Sequence, residues 1–505
     1  MMLQRQMKLL LVFLLSLFLL SSCDWQYQAL TNSIPIEGKP TGVNQPVYVY
    51  IALDGVSHST LQKAIAQGAF SAKTWKPASK FISPFPANSD LGWSRIMRTE
   101  KIPSYDYQYY NSKTDKMYNT GYIGVLKHAD PFHSLPAHKV FNYFGNGYSD
   151  KYLIYQQRPM SYARRLDEIF IRLDGVSETS NIFAGYIPET DTRSHMDSEA
   201  DIIQMMLTLS EKIETFKANH PEKEFLFTLF SDHGNDFVHV SVDKMVEYDK
   251  EMEKLGITPT LSLTQTDPND ALYAIPIVHT RVTYLAVYAH KQNEEKIAEK
   301  LSTLESVETV ISHASKPEGY GGTQEYEWYA VWRNGVKALS YGFDPVNDMY
   351  LLTFTDDYQA FDLEIPFTST ELYQTLTDDE IFEATKNSNY PDLFFRTRTA
   401  LNEVGIEFPA SMILSCKTGY ASIGFKIPGG ANEIASSSFH GALDAAGSTG
   451  LILTEERNLP TVARADTFID LFPNMKTFVT DIRGLEMVPG DANDSLNYVE
   501  LAAQE

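Results

Sequence analysis

Three predominantly apolar segments, each followed by a polar segment, constrain the fold of this chain more than any other feature. They cover residues 47–53, 181–186 and 224–230, and their apolar residues are consecutive rather than alternating with polar positions. Strands of this kind are buried on both faces, as in a parallel sheet covered by helices. Residues 61–70 and 200–216, which lie between the segments, have the composition of helices. The pattern predicts an α/β fold, a three-layer α/β/α sandwich with a mostly parallel central sheet.

The middle of the chain has a less regular pattern. Residues 257–400 are rich in aromatic side chains and contain two predicted strands, 283–290 and 330–341, and one predicted helix, 294–304. We therefore expect a smaller cap or inserted region within 257–400.

Two further segments complete the predicted organisation. Residues 241–255 are expected to form a helix, because their apolar side chains share one face and Gly256 follows as a stop. Residues 411–424 and 450–454 return to short apolar strands. One domain over residues 47–500, with a core completed from both ends of the chain, is the expected result.

The N-terminal segment has the layout of a secretory signal peptide. Two basic residues precede an apolar run over residues 9–20, which is too short for a membrane-spanning helix of about 20 residues. The run is followed by Ser21-Ser22-Cys23, and this ending resembles the bacterial lipobox, in which the cysteine is lipidated after cleavage. We expect residues 1–22 to be a lipoprotein signal peptide and 23–46 a tether. An ordinary signal peptide with an incidental cysteine is the alternative.

These features predict the location of the protein and exclude one class of partner. The lipobox resemblance implies export and lipid anchoring at Cys23 to a bacterial membrane, facing the periplasm or the exterior. The chain carries 42 Lys and Arg against 65 Asp and Glu, a net charge of -23. This balance argues against binding to polymeric nucleic acid, which needs a basic surface. Any phosphate chemistry would need a strong local positive charge.

Acidic and imidazole side chains lie next to the ends of the predicted strands. These residues are Asp54, Asp191, His195, Asp232 and His233, of which Asp191 and His195 are expected in a loop after the second segment, and His440 lies in a later segment rich in Gly and Ser. Each alone is weak evidence, because Asp-Gly pairs are common in turns and an isolated histidine is more often a surface residue. In a parallel sheet, however, the carboxyl ends of the strands meet at one edge and bind ligands there. Carboxylate and imidazole groups together suit Zn²⁺ or a similar divalent ion, and this set could fill two metal sites.

Ser89 is the candidate nucleophile. It follows Phe85-Pro86-Ala87-Asn88 and stands near the start of a predicted helix that includes Ile96 and Met97. Serine at this position is usually a helix cap. A helix N-terminus also attracts phosphate oxygens, and a metal on the hydroxyl would favour the alkoxide that attack requires.

The order and spacing of these motifs resemble the alkaline phosphatase superfamily, including its nucleotide pyrophosphatase/phosphodiesterase branch. Residues 51–55 resemble the opening strand with its metal-binding Asp, 85–89 the nucleophile segment, 191–195 the Asp-x-x-x-His motif, 231–234 the Asp-His pair and 440–441 the last ligand. The resemblance covers residues 47–454.

The resemblance implies an active site with two divalent ions, with Zn²⁺ the expected metal. One ion would be held by Asp191, His195 and His440. The other would be held by Asp54, Asp232, His233 and Ser89. It further implies hydrolysis of small phosphate esters, either diesters and nucleotide pyrophosphates or monoesters, through a phosphoserine at Ser89. The competing interpretation is a catalytically silent surface lipoprotein that keeps the fold for binding.

The match to the family is imperfect where substrate would bind. Asp90, Leu91 and Gly92 follow the nucleophile where the diesterase branch usually has an aromatic residue, Pro and Asn, and the Cys/Ser-x-Pro-x-Arg sulfatase signature is missing. Asn111 resembles a phosphate-contacting Asn of the diesterase branch, but a turn residue is an equally good interpretation. Arg95 and Arg98 could pair with phosphate, although solvated side chains are favoured at such positions. The cluster Tyr105, Tyr107, Tyr109 and Tyr110 is expected to serve packing more than nucleobase stacking.

Overall fold

The structure is a computed structural model, and it describes residues 45–98, 101–118, 139–144, 158–279, 282–353, 356–368, 371–403, 405–422 and 438–482. The predicted signal peptide, Cys23 and almost all of the predicted tether lie outside these residues. Among the described helices, none combines the length and the apolar character needed to cross a membrane.

The described residues form twenty strands and twelve helices. The strands are β1 Val47–Leu53, β2 Ser79–Ile82, β3 Tyr109–Asn111, β4 Lys116–Tyr118, β5 Tyr143–Phe144, β6 Ile182–Ile187, β7 Phe225–Ser231, β8 Met245–Val246, β9 Ile257–Pro259, β10 Leu272–Ile277, β11 Tyr284–Ala289, β12 Val307–His313, β13 Glu327–Arg333, β14 Val336–Asp344, β15 Met349–Thr353, β16 Tyr373–Thr377, β17 Met412–Cys416, β18 Ala421–Ser422, β19 Thr449–Thr454 and β20 Val462–Arg464. The helices are α1 His58–Ala66, α2 Ser89–Met97, α3 Arg158–Ser177, α4 Glu189–Met196, α5 Glu199–Asn219, α6 Tyr248–Lys254, α7 Glu294–Leu301, α8 Asp378–Thr385, α9 Leu393–Leu401, α10 Ala445–Ser448, α11 Phe468–Leu471 and α12 Pro473–Thr477.

The first of the two large sheets has seven strands and is covered by helices on both faces. Its strand order is β20-β2-β19-β7-β1-β6-β5, and all neighbours are parallel except those of β19. Val49 and Ile51 of β1 pack against α1, α3 and α5, whereas Tyr50 and Ala52 pack on the opposite face with α2, α11 and α12. All four side chains are fully buried, as expected of a strand covered on both sides. The predicted three-layer α/β/α arrangement with a mostly parallel sheet is confirmed.

A nine-stranded sheet is built mainly from the segment that has the less regular sequence pattern. Its order is β16-β15-β14-β13-β12-β17-β11-β10-β9, and its neighbours are antiparallel except for β9 and β10. Helices α6 and α7 cover one face, while α8 and α9 cover the other. Strand β17 lies between β11 and β12, so residues 412–416 add to this sheet and not to the first one.

The predicted helix over 241–255 is wrong in its first half. A 3-10 turn over Val242–Lys244 is followed by the short strand β8, and only α6 is helical. Met245 and Val246 pair with Ala421 and Ser422 of β18. This long-range pairing satisfies the backbone groups of β8, and the local apolar periodicity of the sequence contains no sign of it.

The predicted strand over 330–341 is also wrong, because it is two strands. β13 and β14 pair in antiparallel fashion around Asn334 and Gly335, which have φ values of 51° and 78°. Asn-Gly at two consecutive left-handed positions is the pattern of a tight hairpin turn. The dipeptide is visible in the sequence and marks the break between the strands.

Candidate metal centre

Sheet order brings the predicted metal ligands to one edge of the first sheet. β1 lies between β6 and β7, with Leu53 opposite both Ile187 and Ser231. The residues that follow these three strands therefore emerge side by side. Asp54 follows β1, and Asp232 and His233 follow β7.

The other predicted ligands come from a helix and from a distant loop. Asp191 and His195 were expected in a loop after the second apolar segment, but they lie one turn apart on α4, so the loop assignment is wrong. His440 is placed by the second sheet, because its carbonyl accepts hydrogen bonds from the backbone N–H and the hydroxyl of Thr283, at 2.9 Å and 2.8 Å.

Two overlapping groups of side chains have the spacing of metal sites. Within each group, the candidate ligand atoms lie within 4.8 Å of one another. The groups are Asp54, Asp232 and His233, and Asp191, His233 and His440. His195 adjoins the second group, with its Nε2 3.3 Å from Oδ2 of Asp191. The structure thus brings together all six of the Asp and His ligands predicted from the sequence.

The three imidazoles of the site share one hydrogen-bond pattern. Nδ1 of His195, His233 and His440 lies 2.8 to 2.9 Å from the backbone carbonyls of Ser438, Gly234 and Ala87 respectively. A carbonyl only accepts, so each Nδ1 carries a proton and donates it, which leaves each Nε2 facing the site. Histidines that bind metal are held in this way, with the other ring nitrogen donating to a carbonyl or carboxylate.

Ser89 lies among these groups. Its hydroxyl donates a hydrogen bond of 3.0 Å to Oδ1 of Asp54 and is 3.3 Å from Nε2 of His233. Ser89 is the first residue of α2, while Asn88 caps the helix by accepting the N–H of Leu91. Asn88 therefore provides the ordinary capping function, and the hydroxyl of Ser89 is left to point at the metal-type ligands.

The buried carboxylates carry a cost that a cation would remove. Burial raises the pKa of Asp54 well above its ordinary value, and the charges of Asp232 and Asp191 raise it further. Burial also raises the pKa of Asp232 to about 8, and burial with the neighbouring His233 lowers the pKa of His440 to about 3. Oδ2 of Asp232 is buried and has no hydrogen-bond partner among the described residues. Buried carboxylates in such surroundings need a positive partner, so these side chains fit divalent metal ions.

Two glycines allow the ligands to approach so closely. Gly55 has a φ of 62°, and a Cβ there would lie 2.5 Å from Oδ1 of Asp191. A Cβ on Gly92 of α2 would lie 3.0 Å from Cβ of Asp232. Both positions lack room for a side chain without displacing a candidate ligand.

Two residues that support the site were missed by the sequence analysis. Tyr186 of β6 donates a hydrogen bond to Oδ2 of Asp54. Asn235 donates to Oδ1 of Asp191 at 3.1 Å and to the carbonyl of Gly55 at 2.7 Å. The position of Asn235 directly after Asp232-His233-Gly234 was the available signal for it, whereas Tyr186 stands inside an apolar strand and looked like a core residue.

Replacing Tyr186 by phenylalanine is expected to weaken metal binding about 10-fold to 100-fold, the range for removing a partner that orients a metal ligand. The substitution removes the donor to Oδ2 of Asp54 and leaves the ring packing in place. Affinity is measured by Zn²⁺ competition with a chromogenic chelator. Tyr162→Phe is the matched control, because it removes a 2.8 Å hydrogen bond to the carbonyl of Met205, away from the ligands. Equal affinities in the two variants would contradict a positioning role for Tyr186.

Other residues singled out in the sequence take structural positions. Oδ1 of Asn111 accepts the backbone N–H groups of Lys113 and Thr114, each at 3.0 Å, within the β3–β4 hairpin. Asn111 is therefore a turn residue, which was the alternative to a phosphate contact in the sequence analysis. Tyr105 and Tyr110 are buried, as packing requires.

Arg95 of α2 and Arg98, which follows the helix, both form ion pairs. Arg95 is buried and pairs with Asp466, and Arg98 pairs with Asp470 at 2.7 Å. The expectation of solvated side chains is therefore wrong for Arg95. The helix packs on the segment around α11, which supplies both aspartates.

Comparisons with known proteins give similarity only at the level of solved structures. No protein-family profile and no curated protein matches this chain. Human ectonucleotide pyrophosphatase/phosphodiesterase 5 is similar with a TM-score of 0.46 and 9% identity, over 90% of this chain and 99% of that one. The murine ectonucleotide pyrophosphatase/phosphodiesterase 5 has a TM-score of 0.41 and 10% identity, over 88% of this chain and 97% of that one. The functional assignment of this chain therefore depends on its own side chains.

Proposed function

We propose that this protein hydrolyses small phosphate esters, with Ser89 as the nucleophile and two divalent metal ions as cofactors. The observation that carries the proposal is the position of the Ser89 hydroxyl, 3.0 Å from Asp54 and 3.3 Å from His233, within the groups of metal-type ligands. A serine at this place can react only if something lowers its pKa and neutralises the phosphate. The buried Asp and His ligands support the presence of such an ion.

The ligands divide into two sets. Asp54, Asp232, His233 and Ser89 would hold one ion, and Asp191, His195 and His440 the other. Nitrogen and oxygen donors of this kind make Zn²⁺ the expected metal. When bound, the ions supply positive charge that lowers the pKa of a hydroxyl and offsets charge on phosphate oxygens.

The side chains then have separate tasks. Oγ of Ser89 attacks phosphorus, so that a bond from Oγ to phosphorus forms while the bond from phosphorus to the departing alcohol oxygen breaks. Asp54 fixes the position of Oγ and is itself held by Tyr186. Ser89 begins α2, whose N-terminus favours the phosphate oxygens. Water subsequently cleaves the phosphoserine, which releases phosphate or a phosphate monoester and restores the serine.

The test of this function is a comparison of three substrates on one preparation. These are p-nitrophenyl phosphate, bis-p-nitrophenyl phosphate and a nucleotide diester, and each rate is compared with the rate of the Ser89→Ala protein. Faster hydrolysis of any one by the unaltered protein supports the proposal, and the ranking identifies monoesterase or diesterase activity. Rates indistinguishable from those of Ser89→Ala on all three would favour a silent binding protein.

Removing divalent ions is expected to lower activity at least 100-fold and to destabilise the fold. Metal that binds only the folded state contributes about 2.7 kcal/mol when its concentration is 100 times its dissociation constant. Dialysis against a chelator, elemental analysis and thermal unfolding with and without added Zn²⁺ measure both effects. Undiminished activity in protein with less than about one-tenth of an ion per chain would contradict the assignment of the ligands.

We also propose that the protein is exported and anchored by lipid at Cys23, on the evidence of the N-terminal sequence. Mass spectrometry of the mature N-terminal peptide from membranes should find a lipid-modified Cys23. An unmodified peptide that begins at another residue would rule out the anchor.

A further inference from the structure

A cleft of about 380 Å³ lies beside the second sheet and shares no residue with the candidate metal centre. Its walls come from the β3–β4 hairpin, the loop before β10, the ends of β11 and β12, and the start of α7. Binding sites for small molecules in proteins have volumes of about 300–1,000 Å³. The cleft is therefore large enough for a small organic ligand.

Strand β11 separates the cleft from the metal centre. Thr283, which directly precedes β11, donates to the carbonyl of His440. His290, which directly follows β11, lines the cleft. A strand rises about 3.3 Å per residue, so the two ends of β11 lie about 20 Å apart. A ligand in the cleft would occupy a site of its own, outside the proposed reaction.

Asp115 fixes one rim of the cleft. Its carboxylate accepts the hydroxyls of Tyr110, Ser262 and Thr264, and it accepts the backbone N–H of Leu263 at 2.9 Å. Asp115 lies in the turn between β3 and β4, whereas the last three residues belong to the loop before β10. The hairpin and this loop are thus joined, and the rim is formed without a ligand.

Two imidazoles line the opposite side, and each keeps a nitrogen that can accept a hydrogen bond. Nε2 of His313 lies 3.1 Å from the carbonyl of Leu401 and donates to it. Burial lowers the pKa of His313, so the ring is neutral near pH 7 and Nδ1 is an acceptor. Nε2 of His290 lies 2.8 Å from the hydroxyl of Thr266, which donates its own proton to the carbonyl of Leu263 at 2.7 Å. Nε2 is therefore the donor to Thr266, and in the neutral ring Nδ1 is left to accept.

Glu294, the first residue of α7, adds a carboxyl group to the same cleft. Burial raises its pKa to about 7, although the hydroxyl of Ser411 acts in the opposite direction. The neighbouring Glu295 pairs with Lys337 at 2.5 Å, whereas no lysine or arginine of the described ranges forms an ion pair with Glu294. A half-buried carboxylate in these surroundings is stabilised by a bound cation.

We propose that this cleft binds a small organic cation whose N–H donors are spread over a planar group, an amidine or a guanidine. The carboxylate of Glu294 would balance the charge, and Nδ1 of His290 and of His313 would accept further N–H groups. Leu263 and Pro409, which also line the cleft and are partly exposed, would contact the apolar part of the ligand.

The spacing of the acceptors favours a planar cation over a metal ion. Glu294, His290 and His313 are not among the groups of described residues whose ligand atoms lie within 4.8 Å of one another. Three acceptors around a single ammonium nitrogen would lie about 4.7 Å apart, so an ammonium needs the same close approach. An amidinium or guanidinium group carries its donors on separate nitrogens and reaches acceptors that are farther apart.

Three probes of similar size test the inference by calorimetry on the full-length, metal-loaded protein. Benzamidine is a planar cation, benzamide is its neutral analogue, and benzylamine carries its charge and all its donors on one nitrogen. We expect benzamidine to bind about 10-fold or more tightly than benzamide, because hydrogen bonds between charged groups are the stronger ones. Benzylamine should bind more weakly than benzamidine.

A pair of variants then locates the charge. Glu294→Gln keeps the size of the side chain and should weaken benzamidine binding about 10-fold. Glu295→Gln is the matched control, because it removes the same charge from the same helix outside the cleft. General attraction of cations to this acidic chain falls equally in both, so Glu295→Gln should bind benzamidine as the unaltered protein does.

A labelling measurement needs no variant. Carbodiimide coupling to Glu294, followed by mass spectrometry of the peptide, should be slowed several-fold by benzamidine and left unchanged by benzamide.

The contrary outcomes are specific. Equal binding of benzamidine and benzamide, equal affinities of Glu294→Gln and Glu295→Gln, or labelling of Glu294 that benzamidine leaves unchanged would each overturn the inference. Benzylamine binding as tightly as benzamidine would overturn the choice of a planar cation. No phosphate ester enters these measurements, so their result is independent of the proposed hydrolysis.

Discussion

Replacing Ser89 by alanine should lower kcat/KM for phosphate ester hydrolysis by about 10⁴-fold or more, the scale on which enzymes lose activity with their nucleophile. The substitution removes the hydroxyl that lies 3.0 Å from Oδ1 of Asp54 and 3.3 Å from Nε2 of His233 at the start of α2. Alanine leaves the helix intact, because Asn88 and not Ser89 provides the cap. Metal content should fall little, since the Asp and His ligands remain.

Ser94→Ala provides the matched control for this measurement. Ser94 lies on the same helix, is buried, and its Oγ has no hydrogen-bond partner within the described part of the chain. Steady-state kinetics, circular dichroism and elemental analysis should therefore show an unaltered enzyme. If Ser89→Ala keeps more than about one-tenth of the activity while Ser94→Ala keeps all of it, another group is the nucleophile.

The positions of Asp54, Asp232 and His233 could be predicted because parallel strands have a simple geometry. An uninterrupted apolar run is buried on both faces, and residues directly after such runs emerge at the same edge of the sheet. The register between Leu53 and Ser231 fulfils this expectation. The position of Ser89 at a helix start could likewise be predicted, since helix starts are indicated by local residue types.

His440 is different, because nothing near it in the sequence specifies its neighbours. The backbone of His440 pairs with Val282 and Thr283, which directly precede β11 of the second sheet. Only the order of motifs pointed to it. The contact with Tyr186 had no local signal either, since the phenol of a strand residue can turn toward a ligand or into the core without changing the sequence pattern.

The second sheet shows the same limit on a larger scale. β17 lies between β11 and β12, so its neighbours are about 100 residues or more away in the chain. Local apolar patterns predict strands but not which strands pair. Residues 257–400 therefore have the sequence pattern of a less regular addition to the fold. They nevertheless supply β11, which carries Tyr284 and places His440.

A buried ionic cluster joins the two sheets. Nε and Nη2 of Arg464, at the end of β20, donate to Asp392 at 2.6 Å and 2.9 Å, and Nη1 donates to Asp378 of α8. All three side chains are buried, and the guanidinium also lies 4.0 Å from the centroid of the Phe395 ring. The first sheet is thus connected to the helices that cover the second.

Replacing Arg464 by methionine should lower the free energy of unfolding by about 3–5 kcal/mol, the cost of leaving buried carboxylates without their partner. Methionine has a similar length, so the loss arises from charge and hydrogen bonds more than from packing. Urea unfolding followed by fluorescence gives the difference. Arg464→Lys should recover part of the stability, because an ammonium keeps the charge but lacks the planar fork that bonds both oxygens of Asp392. Arg457→Met, at an exposed site seven residues earlier in the chain, should change stability by no more than about 0.5 kcal/mol. A loss for Arg464→Met as small as that of Arg457→Met would mean that the apolar contacts, and not the ionic cluster, hold the two sheets together.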